Sequence, residues 1–233
     1  MSTWRAALAE GIATLLFVFL GAGSAVVSGM FLAAPEAPFP PARIIAIALS
    51  HGLGIALLAW ATGHISGGFL NPAITIAAAL TRRLGAGRAL AYIVAQLGGA
   101  VLGAYLLKLV IPAPAQGSLG ATTLGEGMST GAGLLAEAVF TFAIAFVVYA
   151  TAMDGRGPKT LAPLAIGLTI VVDALVGVPL TGASMNPART LGPAVAAGVW
   201  ADHWVYWVGP LVGASLAALA YETLFTSRNG EKG

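Results

Sequence analysis

Cysteine and charge are the two features in which this sequence is poorest. None of its 233 residues is a cysteine, which excludes disulfides, thiolate catalysis and cysteine-ligated metals. Only 9% of the residues are charged, whereas soluble domains carry about a quarter. The hydrophobic share is 58% and the mean hydropathy is +0.89, so the chain cannot cover a large surface in water. These deficits indicate a membrane protein.

Motifs for chemistry are missing as well. The sequence contains no recognisable nucleophile–base pair, metal-ligand cluster or phosphate-binding loop. Eleven Lys and Arg residues nearly balance nine Asp and Glu, and no basic cluster alternates with aromatics. We therefore expect no enzyme activity, no metal or cofactor, and no nucleic-acid partner.

The hydrophobic residues are grouped into segments of two lengths. A helix of roughly 20 residues crosses the hydrocarbon core of a bilayer. Six stretches reach that length, near residues 6–30, 42–62, 88–110, 133–153, 161–180 and 203–225. Two shorter ones, about 71–81 and 187–198, would each be about 15 Å long and so cross half the membrane. The pattern predicts an all-α membrane protein with six transmembrane helices plus two re-entrant half-helices.

Charge is distributed unequally between the two sides of this predicted bundle. One side holds Arg5, Arg82, Arg83, Arg88, Arg156, Lys159, Arg228 and Lys232. The other holds Glu36, Glu126 and Asp202, with Arg43 and Lys108 near its helix ends. By the positive-inside rule, we expect both termini in the cytoplasm. We also expect a multi-pass protein of the plasma (inner) membrane.

The same order of motifs occurs twice, which indicates an internal repeat. The first copy is Glu10, Asn71-Pro72-Ala73, then Gly99 with Gly103; the second is Glu137, Asn186-Pro187-Ala188, then Gly209 with Gly213. Three spans per copy invert the second relative to the first, so residues 1–233 form one channel domain with inverted repeats at about 1–115 and 126–233. The paired glycines predict close helix crossings between the halves.

Each Asn-Pro-Ala motif suits the start of a half-helix. Asn is a favoured N-cap, and Pro at the first helical position loses only a donor that would be orphaned anyway. Two such starts at the membrane midplane would direct two positive dipole ends and two amide donors at one point. That arrangement repels cations and protons while it hydrogen-bonds a neutral molecule. Asn-Pro is usually a simple turn dipeptide, but two copies at matching places in a repeat favour the pore interpretation.

The stretches GHISGGFLNPAITIAAAL and TGASMNPARTLGPAV resemble the two signature loops of the aquaporin (major intrinsic protein) family. The resemblance covers nearly the whole chain and implies a narrow pore in every subunit of a homotetramer. One departure is Phe69, where many water-selective members carry histidine.

The resemblance also implies a selectivity filter. Arg189, directly after the second motif, resembles the arginine of the family's outer filter, and a charge at membrane depth is functional by default. Spacing to the motifs supplies the other positions: His51 is twenty residues before Asn71, and Ala174 and Ala183 are twelve and three before Asn186. This set is similar to that of plant vacuolar aquaporins, some of which also pass ammonia. We expect His51 and Arg189 to act as polar donors, and the two alanines to widen the opening. The alternatives are a packing role for His51 and a structural ion pair or backbone clamp for Arg189.

Four further residues are expected to support the pore. Glu10 and Glu137 are interpreted as braces for the non-helical stretch before each half-helix, in preference to a proton relay. His64 is expected to hydrogen-bond within its own loop. Asp173 is expected to orient His51 or a loop donor, or to lie at an interface. The aromatic residues Trp200, Trp204, Tyr206 and Trp207 are expected to anchor the membrane interface.

Together these features predict a passive channel for water in the lipid bilayer. Small neutral solutes such as ammonia, hydrogen peroxide and urea are expected to leak, while protons and ions are excluded. One alternative is a glycerol facilitator, although those members typically have Asp where this chain has Thr190. The other is a structural membrane protein with a closed pore.

Overall fold

A computed structural model describes residues 1–34 and 37–226. The charged positions Glu36, Arg228 and Lys232 therefore lie outside the described residues. Within them the chain forms α1 (Thr3–Leu32), α2 (Pro41–Thr62), α3 (Pro72–Leu80), α4 (Ala86–Val110), α5 (Thr130–Val148), α6 (Ala162–Thr181), α7 (Pro187–Ala197) and α8 (Val205–Leu224). A π-helical turn, Tyr149–Met153, extends α5.

Most of the long helices have the composition of membrane spans. Five of those described are long and apolar enough to cross a bilayer: α1, α2, α4, α5 with its π-helical turn, and α6 with the short turn before it. Helix α8 has 20 residues, about 30 Å, and thus the length of a span, although it is less apolar than those five. The prediction of an all-α membrane fold is confirmed.

The two short helices begin as predicted. Helix α3 has 9 residues and α7 has 11, so each reaches about half the membrane thickness. Pro72 and Pro187 occupy the first positions. The Oδ1 atoms of Asn71 and Asn186 accept the N–H groups of Ala73 and Ala188 at 2.9 and 3.0 Å. These caps satisfy donors that a helix N-terminus otherwise leaves unpaired.

The paired glycines make close helix crossings, but within each half. A Cβ added at Gly99 would lie 2.1 Å from the Gly11 oxygen of α1, and one at Gly213 would lie 2.0 Å from the Ala138 oxygen of α5. The expectation that these pairs join the halves is therefore wrong, because α1 and α4, and likewise α5 and α8, are neighbours inside one repeat. The halves meet instead where α4 contacts α7, where α3 contacts α8 and where α2 crosses α6.

Glycine also builds that crossing between the halves. A Cβ at Gly52 would lie 2.4 Å from the Gly167 oxygen, and a Cβ at Gly167 would lie 2.4 Å from the Gly52 oxygen. The two backbones thus touch reciprocally, as small residues permit in membrane helices.

The two cations that depart from the positive-inside pattern both bind backbone carbonyls. Lys108 donates to the Ala196 oxygen at 2.6 Å and so neutralises the C-terminal end of α7. Arg43 donates to the oxygens of Pro38 and Ala25 and lies over the Phe39 ring, 4.6 Å from its centroid. Their positions follow from local structure and do not argue against the charge asymmetry.

Candidate pore and selectivity filter

Glu10 holds the chain segment that leads into α3. It is fully buried, and its carboxylate accepts the N–H groups of Phe69 and Leu70 at 2.9 and 2.7 Å. It also accepts the Ser66 hydroxyl at 2.5 Å and the Gln96 amide at 2.9 Å. All four donors are neutral groups, and together they tie Glu10 to the segment before α3 and to α4.

Glu137 makes the equivalent contacts before α7. Its carboxylate accepts the N–H groups of Ser184 and Met185 at 2.9 and 2.7 Å, and the Thr181 hydroxyl at 2.7 Å. Leu70 and Met185, the residues before the two motifs, have φ of 51° and 55°. That left-handed conformation is strained for a side chain larger than glycine. The carboxylates hold the N–H groups of both strained residues.

The two Asn-Pro-Ala motifs bind each other. The Asn71 amide donates to the Met185 oxygen at 2.8 Å, and the Asn186 amide donates to the Leu70 oxygen at 2.9 Å. Since a primary amide has two N–H donors, each asparagine retains one further N–H group that can donate a hydrogen bond. The half-helices therefore meet at their N-termini, with two amide groups at the junction.

Two cavities lie along this junction. The wide cavity, about 600 Å³, is lined by Arg189, Gly182 and much of the loop 111–129 between α4 and α5. The narrow cavity, about 190 Å³, is lined by His51, Ala183 and the two motif asparagines, and extends to Phe69 and Met153. Of the predicted filter residues, Arg189 therefore lines the wide cavity, and His51 and Ala183 line the narrow one.

Ala174 is the predicted filter residue that borders neither cavity. It is buried, one helical turn from Ile170 of the narrow cavity and one turn from Val178 of the wide cavity. Residues four apart share a helix face. Its small side chain therefore lies on the face of α6 that runs between the cavities.

Arg189 is buried and oriented by the loop 111–129. Its Nη1 donates to the Gly120 oxygen at 2.7 Å, and its Nε has no hydrogen-bond partner in the described part of the chain. The ion pairs found among the described residues do not include it. The guanidinium is thus fixed on one edge by a carbonyl and retains N–H donors beside the wide cavity.

His51 is also buried, and it lies on α2. Its Nδ1 lies 2.9 Å from the Ile47 oxygen, one turn earlier, and its Nε2 has no partner among the described residues. Its ring meets the Phe17 ring edge-on at 5.8 Å between centroids.

Expectations for three individual residues differ from the structure in whole or in part. Asp173 is buried, but its Oδ2 has no partner in the described range, and it hydrogen-bonds neither His51 nor a loop donor, so only the expected interface position stays open. His64 is exposed, and its side chain makes no hydrogen bond to a described residue, because Glu10 and Tyr92 already hold that loop through Ser66. Tyr206 is not an interfacial anchor, since it is buried and its hydroxyl donates to Thr181 at 2.9 Å.

The sequence patterns missed the loop 111–129 as part of the site. Gly120 supplies the carbonyl for Arg189, and the Thr122 hydroxyl lies 2.9 Å from that of Thr190 on α7. The glycine-rich run GSLGATTLGEG was the available signal. Gln96, which binds Glu10, was also missed, although it is an isolated amide in an apolar helix.

A bundle of apolar helices in which two half-helices meet beside a cavity has the architecture of a membrane channel. The sequence matches the major intrinsic protein family over residues 1–221. It is 44% identical over 223 residues to aquaporin-4 of Mus musculus, covering 95% of this chain and 68% of that protein. It is 45% identical over 229 residues to aquaporin TIP4-4 of Zea mays, covering 98% and 89%.

The chain belongs to the major intrinsic protein family, as its signature loops predicted. The fold resembles that of the aquaglyceroporin from Plasmodium falciparum, with a TM-score of 0.81 over 96% of this chain and 97% of that one, at 22% identity. This family consists of channels, so the protein is an integral, multi-pass membrane protein of a channel family.

Proposed function

We propose that this protein is a passive channel that passes water and excludes protons and ions. One observation carries the proposal: the Asn71 and Asn186 amides lie together at the junction of two helix N-termini and line one cavity. The positive ends of both helix dipoles raise the energy of any cation at that point. A neutral water molecule can instead accept hydrogen bonds from the remaining N–H groups of the two amides. The names of the relatives from mouse and maize, both aquaporins, agree with this function.

The filter residues favour a channel that also passes small neutral solutes. Arg189 and His51 supply polar groups, whereas Ala174 and Ala183 take little room. We therefore include ammonia, hydrogen peroxide and urea among the permeants. The width of the opening sets the largest size of solute that can pass.

The assembly and its orientation are parts of the same proposal. The long helices carry many exposed leucines and valines, for example Leu57, Leu90 and Val139, which suit contact with lipid or with other subunits. We propose a homotetramer in the plasma (inner) membrane. Both termini are cytoplasmic, on the side of Arg82, Arg83 and Arg88.

A glycerol jump on liposomes tests the function. Purified protein is reconstituted, and vesicle volume is followed by stopped-flow light scattering against protein-free vesicles. Fast shrinkage with recovery no faster than in the control is the expected result. Fast shrinkage with protein-dependent reswelling would identify a glycerol facilitator, and shrinkage no faster than the control would identify a closed structural protein.

A further inference from the structure

The hydrogen bond of His51 determines which of its ring nitrogens carries a proton. Nδ1 lies 2.9 Å from the carbonyl oxygen of Ile47. A carbonyl accepts hydrogen bonds and cannot donate them, so Nδ1 must be the donor in this contact. In the neutral imidazole the other nitrogen, Nε2, then has a free lone pair. In this tautomer Nε2 is an acceptor, whereas we expect from the sequence that His51 offers a donor to the permeant.

The acceptor at Nε2 is not satisfied by the protein. Nε2 is buried and has no partner among the described residues, and the side chain lines the narrow cavity. A buried acceptor without a hydrogen bond is costly, and such atoms are few in native proteins. The partner for Nε2 must therefore come from the cavity, where the permeant passes.

Packing fixes the ring in this orientation. The Phe17 ring meets it edge-on, with an interplanar angle of 88°. On α1, a Cβ added at Gly21 would lie 3.0 Å from both Cδ2 and Nε2 of His51. That distance is tighter than nine in ten real Cβ contacts, and the imidazole ring cannot bend away as a flexible chain end can. A side chain at position 21 would thus shift the ring by a few tenths of an ångström.

We propose that His51 is a fixed hydrogen-bond acceptor in the filter and that Gly21 is the positioning residue that keeps it so. The proposal rests on the proposed channel function and refines its specificity. A permeant accepts from the free N–H groups of Arg189 beside the wide cavity and donates to His51 Nε2 in the narrow cavity. Good donors such as water and hydrogen peroxide pass easily. Ammonia is a good acceptor but a weak donor, so it passes with a lower permeability than water or hydrogen peroxide.

The tautomer can be measured without any transport assay. Protein labelled with 15N-histidine is reconstituted in lipid bilayers at neutral pH, and its solid-state NMR spectrum is compared with that of His51→Phe. The signals missing from the variant belong to His51. We expect a protonated Nδ1 and an unprotonated Nε2. A proton on Nε2, alone or together with Nδ1, would overturn the proposal.

Flux measurements test the consequence for selectivity. His51→Phe keeps a ring of similar shape but removes the acceptor, so the ratio of hydrogen peroxide to ammonia permeability should fall about tenfold, as for one buried hydrogen bond left unmade. Gly21→Ala should lower the same ratio and shift the His51 signals. An unchanged ratio in His51→Phe would contradict the acceptor role, and unchanged signals in Gly21→Ala would contradict the positioning role.

Gly23→Ala is the matched control on the same helix. A Cβ there would meet only the Cδ1 atom of Leu107, at 3.2 Å, which is the end of a flexible side chain. Its ratio and spectrum should equal those of the unaltered protein. If the unaltered protein conducts water but carries the proton on Nε2, this inference alone fails. If it conducts no water, the proposed function fails first.

Discussion

At the scale of single residues, unsatisfied polar atoms are concentrated along the cavities. Four buried side-chain nitrogen or oxygen atoms of the described residues lack a hydrogen bond: the Nε atoms of Arg43 and Arg189, Nε2 of His51 and Oδ2 of Asp173. The first three belong to side chains that line a cavity. Buried polar groups are otherwise paired in native proteins. Asp173 borders neither cavity, and nothing in the structure explains its free oxygen.

The size of residue 174 should set the solute limit of the filter. Ala174→His adds a large ring on the α6 face between the cavities, so urea permeability should fall on the order of tenfold while water flux falls much less. Stopped-flow swelling of reconstituted vesicles in urea measures both. Leu175→Phe, at a neighbouring exposed position, serves as the control. Unchanged urea flux in Ala174→His would show that residue 174 does not narrow the path.

At the scale of elements, the half-helices depend on buried carboxylates. Glu10 and Glu137 each accept two backbone N–H groups just before a half-helix, one of which belongs to a strained residue, Leu70 or Met185. No other charged group is needed for these contacts, because the N–H groups themselves stabilise the negative charge. The half-helices are thus held at their first residues, where the pore is built.

Removal of the charge from one brace should destabilise the whole pore. Glu137→Gln replaces one acceptor oxygen by an NH2 group, whose N–H donors then face the backbone N–H donors. This should lower the free energy of unfolding by about 3 kcal/mol. The midpoint of heat denaturation in detergent, followed by tryptophan fluorescence, should fall by several degrees. Glu126→Gln, at an exposed position in the loop before α5, tests whether any carboxylate loss has this effect. Equal midpoints for the two variants would argue against the brace.

The glycine crossings give a second prediction for the helices. Gly213→Ala would place a methyl group 2.0 Å from the Ala138 oxygen, so α8 must move away from α5. We expect a loss of about 1–3 kcal/mol of stability, as in other overpacked interiors. Gly98→Ala provides the contrast, because its Cβ would have no atom within 4 Å. Similar denaturation midpoints for Gly213→Ala and the unaltered protein would refute the tight crossing.

Local patterns predicted the helices well and the contacts between them less well. The starts at Asn71 and Asn186 follow from capping preferences that act within a few residues, and the spans follow from hydropathy. By contrast, the Gly120 carbonyl that orients Arg189 is 69 residues away in sequence. No pattern along the chain specifies which helix the Gly99 pair contacts, nor that Tyr206 turns inward. These properties arise only when distant segments are brought together.

At the scale of the whole molecule, two ion-paired groups hold the end of α8 to other parts of the chain. Arg83, which follows α3, contacts Glu222 at 2.6 Å. Arg156, in the loop after α5, contacts Asp154 at 2.5 Å and also donates to the Phe225 oxygen. Asp154 in turn accepts the Tyr221 hydroxyl at 3.0 Å. The end of the bundle is therefore tied together by side chains from both halves.

The Asp154 contacts should make stability depend on pH. Hydrogen bonds from Arg156 hold the pKa of Asp154 well below its ordinary value. A lowered folded-state pKa stabilises the fold above the unfolded value of about 4, and this contribution is lost as the pH falls through the folded value. Asp154→Asn should therefore lower the denaturation midpoint at pH 7, and the difference from the unaltered protein should shrink below about pH 4.

Glu126→Gln is the comparison for this measurement, because the Glu126 side chain makes no hydrogen bond to a described residue. Its midpoint should follow that of the unaltered protein at every pH. A difference for Asp154→Asn that stays constant down to pH 3 would rule out ionisation of this carboxylate as the cause.

The reciprocal bonds between the Asn-Pro-Ala motifs have a consequence for biosynthesis. Asn71 pairs with Met185, and Leu70 with Asn186, so each partner of the first motif is made more than a hundred residues later. Until then the Leu70 carbonyl has no partner, and an unpaired carbonyl in hydrocarbon costs several kcal/mol. Until α7 is inserted, helix α3 must therefore lie in a hydrated or protein-shielded site. Insertion of α7 then completes the pore. Substitutions in either motif should reduce the yield of mature channel as well as its conductance.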